Sequence, residues 1–447
     1  MVTFTARRSK PELVAPARVT PREVKSLSDV DNQPGLRAYP SLIEFFRCRR
    51  APEGGPPASS LKAALAETLV HYYPVAGRLR ELPGGKKLAV DCTAEGVVFV
   101  EAHADVRLEE LGMPLVPPYP CVEQFMCDVG DVTDVIGKPL LYLQMTRLGC
   151  GGLVLVLTMC HSIVDAFGMS QILGCILDLA RGQAVPAVLP LWERHLLSSP
   201  ATSAMPPTAA SLAHTAVMVM PLSTHGTVIR SFVFGPREIA ALRSHIPARL
   251  ARSTTAFELI TAAAWRCRVV ALDHAPAERM RLKFTSNARG RWKRDRPLPP
   301  GFYGNALFIA TAEAAVAELL SLARAVELVR EAKLHVSDQH VRAVLDLMGR
   351  GEYGDPELDL DRTFMVSDIS RCGDDSLDLG WAGRVAGGVP MAAGEVIIAR
   401  VGTFYSSCKD ANGEQCVVVP MCLPEPAMAR FASQIAALAN VLPRSSM

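Results

Sequence analysis

The chain of 447 residues has no long apolar run, no dominant sign of charge and no cysteine pattern. Its most apolar stretch, Leu153 to Cys160, falls well short of the roughly 20 residues that span a bilayer, so no membrane association is expected. The net charge of +2, a pI near 8.0 and the lack of a basic stripe exclude the broad electrostatic footprint of a nucleic-acid binder. The nearest basic run, Arg289-Gly290-Arg291-Trp292-Lys293-Arg294, is short and precedes a proline-rich turn. Twelve cysteines are scattered without a repeated short spacing, so neither a zinc site nor a disulfide framework is read from them. A reducing compartment is the expectation. Met1 to Lys10 is polar and basic with no apolar centre, which argues against a secretory signal, and the expectation is a soluble intracellular protein. A solenoid or propeller is disfavoured because no short-period repeat is visible. Gly-x-Ser-x-Gly does not occur, so the serine-hydrolase elbow is unsupported.

What is present is the balance of a globular protein, with 49% apolar and 21% charged residues. The length exceeds one ordinary core and predicts two domains or more. Helical periodicity predicts a helix capped at Ser59-Ser60 with Leu61, Leu65, Leu69 and Tyr72 on its apolar face. A second stripe runs through Met169, Ile172, Leu173, Ile176 and Leu177 and stops at Gly182. Further helices are predicted over Ala256 to Val270, Ala314 to Leu334 and Ala427 to Leu442. β-Branched runs predict strands at Gly96 to Val100, Leu153 to Met159, Arg230 to Phe234 and Gln415 to Val419. Alternating elements make the class α/β. Prolines, serines and alanines then dissolve the pattern from about Ala184 to Ala216. The expected plan is an N-terminal domain over 1–185, a crossover linker over 186–217 and a C-terminal domain over 218–447. A cleft between two such halves is where ligands collect.

His161-Ser162-Ile163-Val164-Asp165 directly follows the strand Leu153 to Cys160 and precedes the second helix. A histidine at a strand end combines a rigid backbone with access to a cleft. Its ordinary pKa lies nearest neutrality, so it can accept a proton and return it in one cycle. The spacing H-x-x-x-D alone is weak evidence. Ten histidines, with roughly one aspartate in twenty residues, give about half a chance occurrence. A metal site at His161 and Asp165 lacks a third ligand at any recognisable spacing, and no metal is expected.

Neighbouring segments carry more. His71-Tyr72-Tyr73-Pro74-Val75-Ala76-Gly77-Arg78-Leu79, His161 to Asp165, Phe257 to Ile260 with Trp265 to Arg268, Asn287-Ala288-Arg289, Gly301-Phe302-Tyr303-Gly304-Asn305 and Asp378-Leu379-Gly380-Trp381-Ala382 occur in that order. Together they resemble the plant BAHD acyl-CoA-dependent acyltransferases, over nearly the whole chain. Leu379 and Ala382 depart from that family's DFGWG loop, and Ala166 from the Gly that often follows its HxxxD motif. The segments Pro139 to Gly152 and Ala180 to Trp192 resemble its benzyl alcohol O-benzoyltransferase branch.

The resemblance implies two similar-sized domains of mixed sheet and helices, like chloramphenicol acetyltransferase, with the site between them. Part of 375–400 is expected to associate with the N-terminal domain. It implies acyl transfer from acyl-CoA to an alcohol without a tightly bound cofactor, His161 being the general base. Benzoyl-CoA and benzyl alcohol are the implied pair, giving benzyl benzoate. Acetyl or hydroxycinnamoyl transfer on the same fold is the alternative, and a silent ligand-binding protein is the reading of another class. Asp165 is not expected to orient His161, because the helical pattern begins only near Met169; the resemblance implies that it pairs with Arg289 instead. Asp378, Gly380 and Trp381 are expected to hold a structural loop. Ser367, just before that loop, is the candidate oxyanion donor, although a serine there could equally satisfy a turn. Arg252, Ser253 and Thr254 suit the CoA phosphates by position before a helix, or else cap that helix. A monomer is expected. The terminal Ser445-Ser446-Met447 partly resembles a peroxisomal address of the S-K-L kind, with cytoplasm as the alternative.

Overall fold

The computed structural model describes residues 2–49, 58–84, 87–199, 226–289, 297–354, 359, 361–390 and 402–441. The C-terminal tripeptide and part of the crossover lie outside them. Among the described residues one mixed sheet of thirteen strands runs through both halves of the chain. Its N-terminal part orders Ala6–Arg8, Val97–Ala104, Leu141–Leu148, Leu153–Met159 and Ser41–Cys48. Its C-terminal part continues with Ala382–Gly388, Gly402–Lys409, Thr363–Asp368, Arg279–Asn287 and Leu307–Ala315. Gln415–Pro424 pairs with Gly402–Lys409 and carries Thr227–Phe234 on its other edge. The class is α/β, as expected.

Leu153–Met159 is buried at every position. Leu153, Leu155, Leu157 and Met159 enter a core under the helices Ala58–His71 and Ala166–Ala180. Val154 and Val156 enter a second core on the opposite face. A strand covered on both sides needs no polar alternation, which is why this run is continuously apolar. The C-terminal core forms where Ala256–Ala271, Leu322–His335 and Glu425–Ala439 cover one face of the second part of the sheet. Trp265 is fully buried there.

Three predicted boundaries change. The first helix already includes Ser59 and Ser60, so neither caps it. Ala314 lies in the strand Leu307–Ala315 rather than opening a helix, and the helical part is split into Val316–Leu319 and Leu322–His335. Phe308, Ala310, Ala312 and Ala314 are buried at every second position. Alanine suits either element, so the period of two was masked. The motif helix begins at Ala166, three residues before its apolar stripe, because a cap at Asp165 starts it.

The two parts of the sheet meet where Ala382–Gly388 pairs antiparallel with Ser41–Cys48, Ala382 opposite Cys48 and Gly388 opposite Ile43. The seam carries a buried ion pair. Arg384 donates from Nε to Glu44, and from Nη1 to Ser407 Oγ at 3.1 Å and Asp375 Oδ1 at 3.2 Å. Their side chains are 4% and 0% exposed, so removing the guanidinium strands the Glu44 carboxylate in the core. Arg384→Ala is expected to cost about 3–5 kcal/mol in denaturant-induced unfolding. A loss under about 1 kcal/mol would show that backbone pairing alone holds the seam.

Candidate active site

His161 opens a short 3₁₀ turn, His161–Ile163, directly beyond the doubly buried strand. Backbone bonds fix the turn at once: His161 N–H donates to Ala38 O at 2.8 Å and Cys160 N–H to Leu140 O at 3.0 Å. Ser162 Oγ donates to Leu36 O at 3.1 Å. The ring is tied inside the turn, with Nδ1 2.8 Å from Val164 O. A carbonyl only accepts, so the Nδ1 position carries the proton and Nε2 carries the lone pair. In many triads a carboxylate sets that tautomer; here a backbone carbonyl does so.

Asp165 turns the other way. It is fully buried, and its Oδ1 accepts from Gly168 N–H at 3.0 Å as the cap of Ala166–Ala180. Arg289 binds it in fork geometry, Nη1 to Oδ2 at 2.8 Å and Nη2 to Oδ1 at 3.0 Å. Ala306 N–H adds a bond to Oδ2 at 3.1 Å. Arg289 also donates to Phe302 O at 3.2 Å and to Gly304 O. One carboxylate thus starts a helix of the N-terminal half and holds two loops of the C-terminal half.

A second buried ion pair lies on the other side of the turn. Asp31 and Arg194 have side chains 0% and 2% exposed, with Nη1 3.1 Å from Oδ2. Arg194 Nη2 donates to Ile163 O at 2.7 Å. Asn305 Nδ2 donates to Asp31 Oδ1 at 2.8 Å and to His161 O at 2.7 Å. The guanidinium lies over the rings of Trp192, Tyr303 and Phe302, with its carbon 4.4, 4.9 and 5.4 Å from their centres. A Cβ on Gly304 would stand 1.4 Å from Arg194 Nη1, so only glycine fits there. The run Phe302-Tyr303-Gly304-Asn305 is therefore an arginine receptacle that ends in a donor to the motif turn. Asp31 and Arg194 escaped the sequence reading.

The remaining candidates are dispersed. Asp378 accepts from Arg49 Nη2 at 2.6 Å and from Gly380 N–H at 2.5 Å, and Trp381 O accepts from Arg49 N–H at 2.8 Å. Partial burial would raise the Asp378 carboxyl, but the Gly380 N–H and the Arg49 guanidinium outweigh it and hold it below its usual range. Arg49 follows the C-terminal end of Ser41–Cys48, whereas Ala38, which holds His161, precedes its start. That strand is about 23 Å long at roughly 3.3 Å per residue, so the loop and the histidine lie at opposite ends of it. Ser367 belongs to a strand, Thr363–Asp368, not to a turn, and its Oγ is 3.3 Å from Thr285 Oγ1. Phe364 and Val366 face the helical core, so by alternation Ser367 faces away from it.

Thr255, not Ser253 or Thr254, caps the helix Ala256–Ala271. Thr254 points inward, its hydroxyl donating to Leu250 O at 2.6 Å and accepting from Arg330 at 2.7 Å. Arg252 and Ser253 are exposed beside it. Among the described residues no group of three His, Cys, Asp or Glu is arranged to hold a metal ion, and no helix is long and apolar enough to cross a membrane.

Known proteins share this fold. Vinorine synthase superposes with a TM-score of 0.76 at 19% identity, covering 97% of this chain and 98% of its own. F. graminearum TRI101, complexed with coenzyme A and T-2 mycotoxin, gives 0.73 at 14% identity over 94% and 99%. The fold is thus the chloramphenicol acetyltransferase-like one of the acyltransferases. The family profile described as "Transferase family" matches residues 1–438, and the chain belongs to that family, the BAHD acyltransferases. Acyl transferase 1 of Oryza sativa subsp. japonica is 46% identical over 98% of this chain and 97% of its own. The benzyl alcohol O-benzoyltransferase of Nicotiana tabacum is 43% identical over 98% and 95%, and the rice spermidine hydroxycinnamoyltransferase 1 is 43% identical over 93% and 95%.

Asp165→Ala is expected to lose about 3–5 kcal/mol, with a clear drop in melting temperature, because Arg289 is left uncompensated. His161→Ala should melt within about a degree of wild type while turnover falls about a hundred- to ten-thousandfold. Thermal unfolding beside an acyl-transfer assay separates the two; wild-type melting with lost activity in Asp165→Ala would assign that residue to the chemistry.

Proposed function

We propose that the chain transfers an acyl group from acyl-CoA to an acceptor hydroxyl, with His161 as general base. The carrying observation is the Nδ1 contact to Val164 O at 2.8 Å, which leaves the Nε2 lone pair for the acceptor proton. His161 takes that proton as the acceptor oxygen attacks the thioester carbonyl, so free alkoxide never accumulates. The tetrahedral oxyanion needs an aimed donor, and Ser367 is proposed for it. The imidazolium returns its proton as CoA thiolate leaves, so no acyl-enzyme and no metal enters the scheme. Asp165, Arg289, Asp378, Gly380 and Trp381 serve the frame. Arg252 and Ser253 are proposed to meet the CoA phosphates; the inward hydroxyl of Thr254 supports their loop instead.

Benzoyl-CoA and benzyl alcohol are the proposed pair, supported by 43% and 42% identity to the benzyl alcohol O-benzoyltransferases of Nicotiana tabacum and Petunia hybrida. Hydroxycinnamoyl transfer is the second reading, carried by the equal identity to spermidine hydroxycinnamoyltransferase 1. Benzoyl-, acetyl- and hydroxycinnamoyl-CoA at equal concentration, offered with benzyl alcohol and with spermidine, decide between them. Benzyl benzoate should dominate; mainly acetyl ester or hydroxycinnamoyl amide overturns the pair. A peroxisomal address is proposed from Ser445-Ser446-Met447, and a fluorescent fusion that preserves this terminus should be punctate. Diffuse cytosolic signal rejects it.

A further inference from the structure

We infer that Asp31, Arg194 and Asn305 form a positioning clamp for the general base, distinct in task from the Asp165–Arg289 pair. The inference rests on His161 being that base. Its ground is which atoms of the motif turn are held, and by what. The imidazole is steered by Val164 O, which belongs to the same four-residue turn. Any twist of that turn moves ring and carbonyl together, so the internal bond alone cannot fix the aim of Nε2. Aim has to come from outside. Asp165 does not supply it, since its carboxylate bonds the next helix and Arg289.

The turn's own carbonyls are held from the other side. His161 O accepts from Asn305 at 2.7 Å and Ile163 O from Arg194 at 2.7 Å. Both donors are set by one acceptor, Asp31, which bonds Arg194 Nη1 at 3.1 and 3.2 Å and Asn305 through Nδ2 at 2.8 Å and backbone N–H at 3.1 Å. Asp31 is itself fixed by Ser28 Oγ at 2.7 Å and Ser28 N–H at 3.2 Å. The three residues are 3% exposed or less and come from three separate regions. An arginine shared between a carboxylate and a carbonyl, stacked on aromatic rings, has little freedom left. A base displaced by about 1 Å can cost on the order of a hundredfold in rate. These are positioning residues: Arg194 and Asn305 touch the turn that carries His161, and Asp31 holds both of them.

Asn305→Asp is the decisive variant, because it keeps shape but turns a donor into an acceptor facing His161 O and the Asp31 carboxylate. Per folded molecule, kcat should fall about tenfold or more while KM for acyl-CoA stays within about twofold. Asn305→Ala, which removes the donor without repulsion, should lose less. Imidazole NMR of histidine-labelled enzyme, with the His161 signal identified by its loss in His161→Ala, adds a readout that a stability role would not move. Wild type should show one Nδ1–H tautomer; Asn305→Asp should keep it, because Val164 O moves with the ring, while the His161 ring resonances shift from their wild-type positions. If folded Asn305→Asp and Asn305→Ala keep wild-type kcat and wild-type His161 ring resonances while His161→Ala is inactive, the clamp is refuted and the base stands. If His161→Ala keeps more than a tenth of wild-type turnover, the base assignment itself falls.

Discussion

The site depends first on one buried carboxylate. Asp165 accepts Gly168 N–H, Ala306 N–H and both Nη atoms of Arg289 from a position with no solvent exposure. Four charge-assisted bonds offset the desolvation of the pair, which an isolated buried charge could not survive. The consequence is positional: a helix start, a strand end and the arginine receptacle converge on one side chain. Where they meet, the helix after the motif turn is tied to the C-terminal half, while Arg194 and Asn305 hold the carbonyls of the turn itself.

Charge and aromatic stacking divide the remaining work. The Arg194 guanidinium sits against three rings, where a compact ammonium would leave the fork of donors incomplete. The scheme asks the histidine to hold a proton transiently, so its surroundings need fixed dipoles and paired charges rather than a free carboxylate nearby. The carbonyl of Val164 meets that need: it selects the tautomer without adding net charge beside the ring.

Much of this was legible in the sequence, for identifiable reasons. Leu153 to Met159 could be read as a strand because it is covered on both faces and stays apolar throughout. The partnership of Asp165 and Arg289 was legible only through resemblance, since 124 positions separate them. Asp31 and Arg194 were not legible. They are 163 positions apart, one in a loop and the other in a proline-rich crossover whose composition reads as a linker. The strand Ala382–Gly388 was equally hidden. Its sequence is rich in glycine because Gly387 lies where a Cβ would come within 1.9 Å of Glu44 Oε2. Close approach to a neighbour leaves no hydrophobic period to detect.

The seam between Ser41–Cys48 and Ala382–Gly388 also orders events in time. A chain leaving the ribosome has six of the sheet's strands by Met159, Glu12–Val14 among them, yet one flank of Ser41–Cys48 stays open until Gly388 emerges. That interval covers about 230 residues, or roughly 10–50 s at 5–20 residues per second. During it, an eight-residue edge buried at six positions in the finished protein offers unpaired backbone groups to whatever strand is near. A nascent N-terminal half is therefore a client for chaperones, and release of a truncated chain leaves that edge without its natural cover.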